Sequence, residues 1–278
     1  MPTEQIRMKP SNAAMRHRAP FTLTKWYVDC VAADGRAVIG YWASLAWRGV
    51  ALTWQNVTLY EANRPPVSRS SLVTASPPEV AGETITWCAP ALACVAGIES
   101  RQRPIEARLL DSDAGIVEWR AEAPVAAVTF KLGGCAPVQG PGYAERIFIS
   151  IPPWRLPIRE LRWGRWVDSA ASRSVVWIDW RGDSPRTWVF VDGVLASAGV
   201  VTDESILADG MKILLRERQT LHARAFAEIA AAIPPLRAVV PKSLLALRET
   251  KWCSTGTLLE RNAAAQTGWA IHEVAVFR

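Results

Sequence analysis

From Phe21 onward, apolar and polar positions alternate with a period of two, and turn residues interrupt the pattern roughly every eight to twelve positions. The pattern predicts strands at Leu23–Val31, Ala37–Ala46 and Ala51–Glu61, joined by turns at Asp34-Gly35 and Arg48-Gly49. Asn63–Pro66 breaks this meander, and short strands follow at Ser70–Ala75, Thr84–Cys88, Leu92–Ser100, Ile105–Asp111, Gly115–Ala121 and Val125–Leu132. Beyond a proline-rich interval, strands are predicted from Tyr143–Ile151 and Leu161–Val167 through to Trp252–Glu260. Leu221–Ile233 suits a helix equally well, because it is rich in Ala, and Pro234-Pro235 ends it. The closing strand, Trp269–Phe277, puts Trp269, Ile271, Glu273, Ala275 and Phe277 on one face. Many short strands with regular turns predict an all-β protein built as sandwich or barrel.

One order of residues occurs twice. Trp26-Tyr27-Val28-Asp29, then Arg36-Ala37-Val38-Ile39, then Trp47-Arg48-Gly49 is matched by Trp166-Val167-Asp168, then Arg173-Ser174-Val175-Val176, then Trp180-Arg181-Gly182. A unit that recurs half a chain apart predicts two related β-rich halves packed side by side. Gly133–Gly142 holds Gly-Gly, Pro and Gly-Pro-Gly and is the best boundary. The expected division is an irregular arm over 1–20, one barrel over 21–135 and a second over 136–278. Two such barrels create apolar interiors and a seam, and ligands favour both.

Half of the 278 residues are hydrophobic and 21% are charged, enough for a real core. No apolar run reaches the roughly 18 residues of a membrane-spanning helix. Arg7, Lys9, Arg16, His17 and Arg18 are followed by no apolar signal region, so a soluble cytoplasmic protein is expected. The net charge of +6 is spread among apolar residues rather than gathered in a block, which argues against nucleic acid and leaves room for transient membrane contact. Five cysteines without a C-x-x-C pair predict free thiols, with neither zinc site nor disulfide framework. Fourteen Trp against four Tyr and six Phe is an unusual balance, suited to a core lined with indoles or to a ligand cavity faced by them.

Catalytic triads are poorly supported by three isolated histidines, His17, His222 and His272, and no G-x-S-x-G element occurs. The same isolation predicts no metal site, and the glycine pairs lack the strand–helix context of a phosphate loop. The sharpest local feature is Gly140-Pro141-Gly142-Tyr143-Ala144-Glu145-Arg146. On a strand, Tyr143 and Glu145 share a face. If that face is interior, burial raises the carboxyl pKa and makes Glu145 a proton donor. The other reading pairs Glu145 with Arg146, Arg155, Arg159, Arg162 or Arg165 at the seam. In Leu161-Arg162-Trp163-Gly164-Arg165-Trp166, indoles and guanidiniums alternate, and Gly164 permits close approach of a neighbour. Glu273, on the aromatic face of the last strand, needs either an ion partner or a polar ligand.

The W-Y-x-D…D-G opening (Trp26, Tyr27, Asp29, Asp34, Gly35), the G-x-G-Y-x-E junction (Gly140, Gly142, Tyr143, Glu145) and the closing G-W-A-I-H-E strand together resemble the tandem-lipocalin superfamily. Carotenoid 1,2-hydratases, AttH-like proteins, tocopherol cyclases and fungal Diels–Alderases belong to it. The resemblance implies two lipocalin-like antiparallel β-barrels side by side and a hydrophobic, often isoprenoid or polyketide, ligand. It also implies hydration or cyclisation without a cofactor, with Glu145 in the place of the acid. Relatives often continue with an Asn-Trp-Gly element where this chain has Ile147-Phe148-Ile149-Ser150, which puts the transfer of catalysis in question. The expected catalytic residues are Glu145 and Tyr143. The expected ligand-facing residues are Trp26, Tyr41, Trp163, Arg165, Trp177, Trp188, Trp269 and Glu273. The same features also fit a non-catalytic lipid or terpenoid carrier, and exposed indoles would fit a carbohydrate-binding protein.

Overall fold

Two antiparallel sheets carry the site, seen in a computed structural model that describes residues 21–47, 49–231 and 245–277. The first sheet contains β1 (Phe21–Val31), β2 (Ala37–Trp47), β3 (Val50–Tyr60), β4 (Val67–Ser71), β5 (Glu79–Ala81), β6 (Thr84–Ala89), β7 (Cys94–Ser100), β8 (Ile105–Ser112), β9 (Gly115–Leu132) and β10 (Val138–Ile149). Its order is β4-β3-β2-β1-β10-β9-β7-β6-β5, with β8 beside β9. The second contains β11 (Glu160–Asp168), β12 (Ser174–Arg181), β13 (Arg186–Val191), β14 (Val194–Leu195), β15 (Gly199–Val201), β16 (Ser205–Ala208), β17 (Met211–Ala225), β18 (Arg248–Glu260) and β19 (Gln266–Val276). Its order is β14-β13-β12-β11-β19-β18-β17-β16-β15. In both, the first strand pairs with the last and the next strands fan out on its other side, so the repeated residues of the sequence occupy equivalent strands.

The glycine-rich stretch expected at the boundary lies within the first sheet. β10 pairs with both β1 and β9, and the chain passes to the second sheet only after Ile149. Gly140 and Gly142 serve close approach rather than a turn: a Cβ at either would collide with the backbone carbonyl of Val31 or Asp29 on β1. β9 changes partner at Pro124, with β8 along residues 115–121 and β7 along 126–132. A proline there removes no ladder bond, since it lies between the two pairings. The ambiguous Ala-rich segment is β17 up to Ala225 and then, as far as it is described, a short helix, α1 (Phe226–Ala231). The predicted Pro234-Pro235 stop, the arm over 1–20 and His17 lie outside the described residues. No helix among the described residues is long and apolar enough to cross a membrane.

Alternation along each strand divides the apolar residues among three cores. Trp26, Val28 and Cys30 of β1 point into the first half with Trp42, Trp87 and Phe130. Trp166 and Trp177 point into the second half with Val189, Ile206 and Ile213. The intervening residues, Tyr27, Tyr41, Tyr143, Trp163, Ile178 and Ile271 among them, form a third core between the halves. Gly164 of β11 seats the Trp177 ring: a Cβ there would strike that indole and the His272 side chain. Cys30, Cys94 and Cys253 are buried, and burial pushes their thiols up to about 12, whereas Cys88 is exposed; all five cysteines are free.

The halves are tied by an ion pair with no solvent exposure. Arg165 of β11 donates from Nε to Asp29 Oδ2 of β1 at 3.0 Å and from a second nitrogen to Oδ1. Its remaining nitrogen donates to the Trp269 carbonyl at 2.7 Å, and Tyr27 donates to Asp29 Oδ2 at 2.8 Å. Burial disfavours the Arg165 cation, yet Asp29 holds its pKa above the ordinary value.

Breaking a buried pair on one side leaves the other charge uncompensated, at a cost of about 3–5 kcal/mol. Arg165→Met is therefore expected to lower unfolding free energy by about that much, and Asp29→Leu combined with Arg165→Met to cost less than Arg165→Met alone. Denaturant titration of the three proteins checks the order. Gly164→Ala, by overpacking Trp177, is expected to cost about 1–3 kcal/mol in the same assay.

Candidate functional site

Between the halves lies a cavity of about 370 Å³ whose wall is drawn from both sheets. Leu23, Leu45, Leu52, Ile147, Ile149, Ile178 and Phe277 supply apolar surface, and Trp47, Trp54, Trp119, Trp154, Trp163 and Trp180 supply six indoles. Five ionisable side chains interrupt it: Lys25, Glu145, Arg224, Glu249 and Glu273.

Glu145 reaches this wall from β10, whose ladder with β9 is irregular from Gly142 to Glu145. Such a bulge re-aims side chains. One carboxylate oxygen, Oε2, accepts three bonds: from Trp119 Nε1 at 2.5 Å, Tyr143 Oη at 2.7 Å and Trp163 Nε1 at 3.1 Å. Burial nevertheless raises the Glu145 pKa, and Glu273 adds to the rise, against the pull of Trp119, Tyr143 and Lys25. The Tyr143 phenol is wholly buried and held well above its ordinary range, by burial first and by Glu145 second, so it stays a donor. The arginines that might have neutralised Glu145 are engaged elsewhere: Arg146 with Glu122, Arg159 with Asp183, Arg162 with Glu160 and Arg165 with Asp29.

A second polar group comes from β18 and β19. Lys251, 1% exposed, forms an ion pair with Glu273, the residue opposite it in the ladder. Its ammonium lies 4.8 Å from the Tyr27 ring centroid, 5.1 Å from that of Trp163 and 5.7 Å from that of Tyr41. Burial works against the Lys251 cation, but Glu273, Tyr41 and Glu249 together hold its pKa well above the usual value. Glu249 accepts from or shares a proton with His222 Nε2 at 2.8 Å, and His222 Nδ1 lies 3.3 Å from Tyr60 Oη on the first sheet. Burial opposes ionisation of Glu249, but the His222 bond and the charge of Lys251 hold its carboxyl far below the ordinary range. Two carboxyl groups on one cavity are thus pushed in opposite directions, the pattern that separates an acid from a base.

Of the residues singled out from sequence, Glu145, Tyr41, Trp163 and Glu273 line the cavity, and Tyr143 lies behind Glu145. Trp188 packs edge-on against the cavity-lining Trp180 at 5.5 Å, and Trp269 packs on the core between the halves. Trp26 and Trp177 face the interiors of the first and second halves, and Arg165 is committed to Asp29. His272 is buried in the second half beside Ser254, with its pKa pushed down to about 3 by burial. Trp119, Lys25, Arg224, Glu249 and Lys251 were missed. Glu249 and Lys251 sit two apart on a strand, a same-face pair that period-two reading could have flagged. Among the described residues no cluster of three His, Cys, Asp or Glu side chains could hold a metal ion.

No family model and no curated protein sequence matches the chain. Solved structures do. CghA, crystallised with Sch210972, aligns over 93% of this chain and 89% of its own at 11% identity, with a TM-score of 0.55. An AttH candidate from Nitrosomonas europaea aligns over 100% of both chains at 10% identity, with a TM-score of 0.53. At these identities the likeness is one of fold. Two curled antiparallel sheets side by side, in each of which the first strand pairs with the last, give the chain a fold of two lipocalin-like half-barrels.

Proposed function

We propose that the cavity binds a hydrophobic, unsaturated molecule of terpenoid or polyketide type and that Glu145 protonates it, leading to hydration, cyclisation or isomerisation without a cofactor. The observation that carries this is a carboxyl group whose pKa burial raises, set in an apolar wall with one oxygen already saturated by three donors. With Oε2 so engaged, the acid proton belongs on Oε1. Transfer breaks that O–H bond and forms a C–H bond with the alkene π pair, leaving a carbocation. Trp and Tyr faces attract such a cation by about 0.5–2 kcal/mol each. Trp119, Tyr143 and Trp163 already point at the carboxylate that forms, so no reorganisation is needed. Water or a hydroxyl of the substrate adds to the cation, or a neighbouring C–H loses its proton, and Glu145 or Glu249 takes the proton up. Exclusion of bulk water limits competing capture.

A carrier is the second reading. It is favoured by the completeness of the hydrogen bonding at Glu145 Oε2, which also suits a structural acid that never turns over. Incubating the purified protein with an extract of its host and identifying retained molecules by mass spectrometry separates the two. Under the acid mechanism, wild type retains or releases a converted molecule. Glu145→Gln, which keeps the shape and loses the proton, is expected to hold the unconverted one, with turnover lower by about 10²–10⁴-fold. The same unmodified molecule on both proteins would establish a carrier, and retention of nothing would remove the apolar-ligand reading itself.

A further inference from the structure

The charges around the cavity do not balance. Lys251 is paired with Glu273, and Glu249 Oε1 is hydrogen-bonded to His222 Nε2. Lys25 and Arg224, which both line the cavity, are in no ion pair with any described residue. Lys25 lies over the Tyr41 ring, 5.0 Å from its centroid, and its charge is felt by both Glu145 and Glu249. Arg224 stands opposite Glu249 in the β17–β18 ladder, but Glu249 Oε1 is held by His222 instead. Arg224 Nε is buried with no hydrogen-bond partner among the described residues. A buried N–H without an acceptor is costly, more so on a cation, and native proteins seldom leave one unexplained. Asn, Gln or a further acid would have satisfied it from within. Apart from Glu145, Glu249 and Glu273, the cavity wall offers it mostly apolar side chains.

We infer that Lys25 and Arg224 form an anion subsite of the cavity, and that the ligand is an apolar unsaturated molecule carrying one carboxylate. This rests on the proposed ligand cavity and adds its head group. Guanidinium binds a carboxylate through paired N–H donors, and Arg224 has Nε to offer. The remainder of the molecule then lies along the leucines, isoleucines and indoles toward Glu145. A neutral alcohol or hydrocarbon would leave both cations unmatched in a low-polarity space. The subsite also acts on the proposed chemistry: an anion beside Lys25 cancels the pull that Lys25 exerts on Glu145, so the acid is best kept protonated when substrate is bound.

The test uses cis-parinaric acid, a polyene carboxylate, and its methyl ester, followed by quenching of the cavity indoles. The acid is expected to bind wild type at least about tenfold more tightly than the ester, as a charge-assisted bond to a partly buried cation allows. Arg224→Gln and Lys25→Gln are each expected to weaken the acid by a similar factor and leave the ester unchanged, with Arg224→Lys intermediate. Circular dichroism confirms that each variant is folded, and Lys25→Gln carries the test if Arg224→Gln is not. Equal binding of acid and ester by wild type, or acid binding indifferent to both variants, overturns the anion subsite while leaving the apolar cavity standing. Binding of neither probe overturns both. Acid binding lost at Lys25→Gln and Arg224→Gln together with ester binding means a damaged cavity wall and overturns the assignment of a charge-specific site.

Discussion

The buried pair of Asp29 and Arg165 is the constraint on which the rest of the structure depends. It joins the first strand of one half to the first strand of the other, at positions where neither side chain meets solvent. Hydrophobic contact between two sheets is non-directional and tolerates sliding. A two-toothed guanidinium–carboxylate contact does not, because both N–H vectors must meet both oxygens. Fixing β1 against β11 fixes β10 and β19 beside them, and these strands carry Glu145 and Glu273. The desolvation of two charges is a large opposing term. Here Tyr27 and the Trp269 carbonyl meet part of it by completing the hydrogen bonding.

The polar groups of the cavity follow the same rule of being held by the opposite half. Glu145 belongs to the first sheet and accepts from Trp163 of the second. His222 belongs to the second and lies against Tyr60 of the first. Lys251 of the second sits under the rings of Tyr27 and Tyr41 of the first. The site therefore exists only in the assembled pair of sheets. Each half has a core of its own, with indoles packed on glycines. This places the cavity in the seam, one of the two locations that the doubled sequence made plausible.

Much of the architecture was legible because it rests on period two. The strands β1, β2 and β3, the hairpin at Asp34-Gly35 and the faces of the last strand can be read from alternation alone, and Glu273 and Ala275 of β19, with Phe277 just beyond it, do line the cavity. The junction misled because glycine has two uses. Gly140 and Gly142 look like a linker but are places where β1 comes too close for a side chain. Within the site, Glu145 and Tyr143 stood out by their spacing. Trp119, Lys25, Arg224 and Glu249 did not, since each is brought to the cavity by a pairing between strands distant in sequence. Arg165 shows the converse. Its alternation with Trp163 and Trp166 suggested a ligand contact, whereas its partner, Asp29, lies in the other half of the chain.

Five ionisable groups on an otherwise apolar wall would be a poor choice for a core whose only task was cohesion, since apolar residues of similar volume commonly stabilise as well or better. Arg146, Arg159, Arg162 and Arg165, four guanidiniums near Glu145 in sequence, are each engaged with another acid. Glu249 is kept a carboxylate by His222 and Lys251, and is not spent on Arg224 across the ladder. Each of these arrangements leaves a charge or a proton unused inside the cavity. A structural role for the wall accounts for its indoles and leucines. It does not account for two carboxyl groups pushed in opposite directions and an arginine without an ion partner facing one space, and these are the features on which the ligand proposals rest.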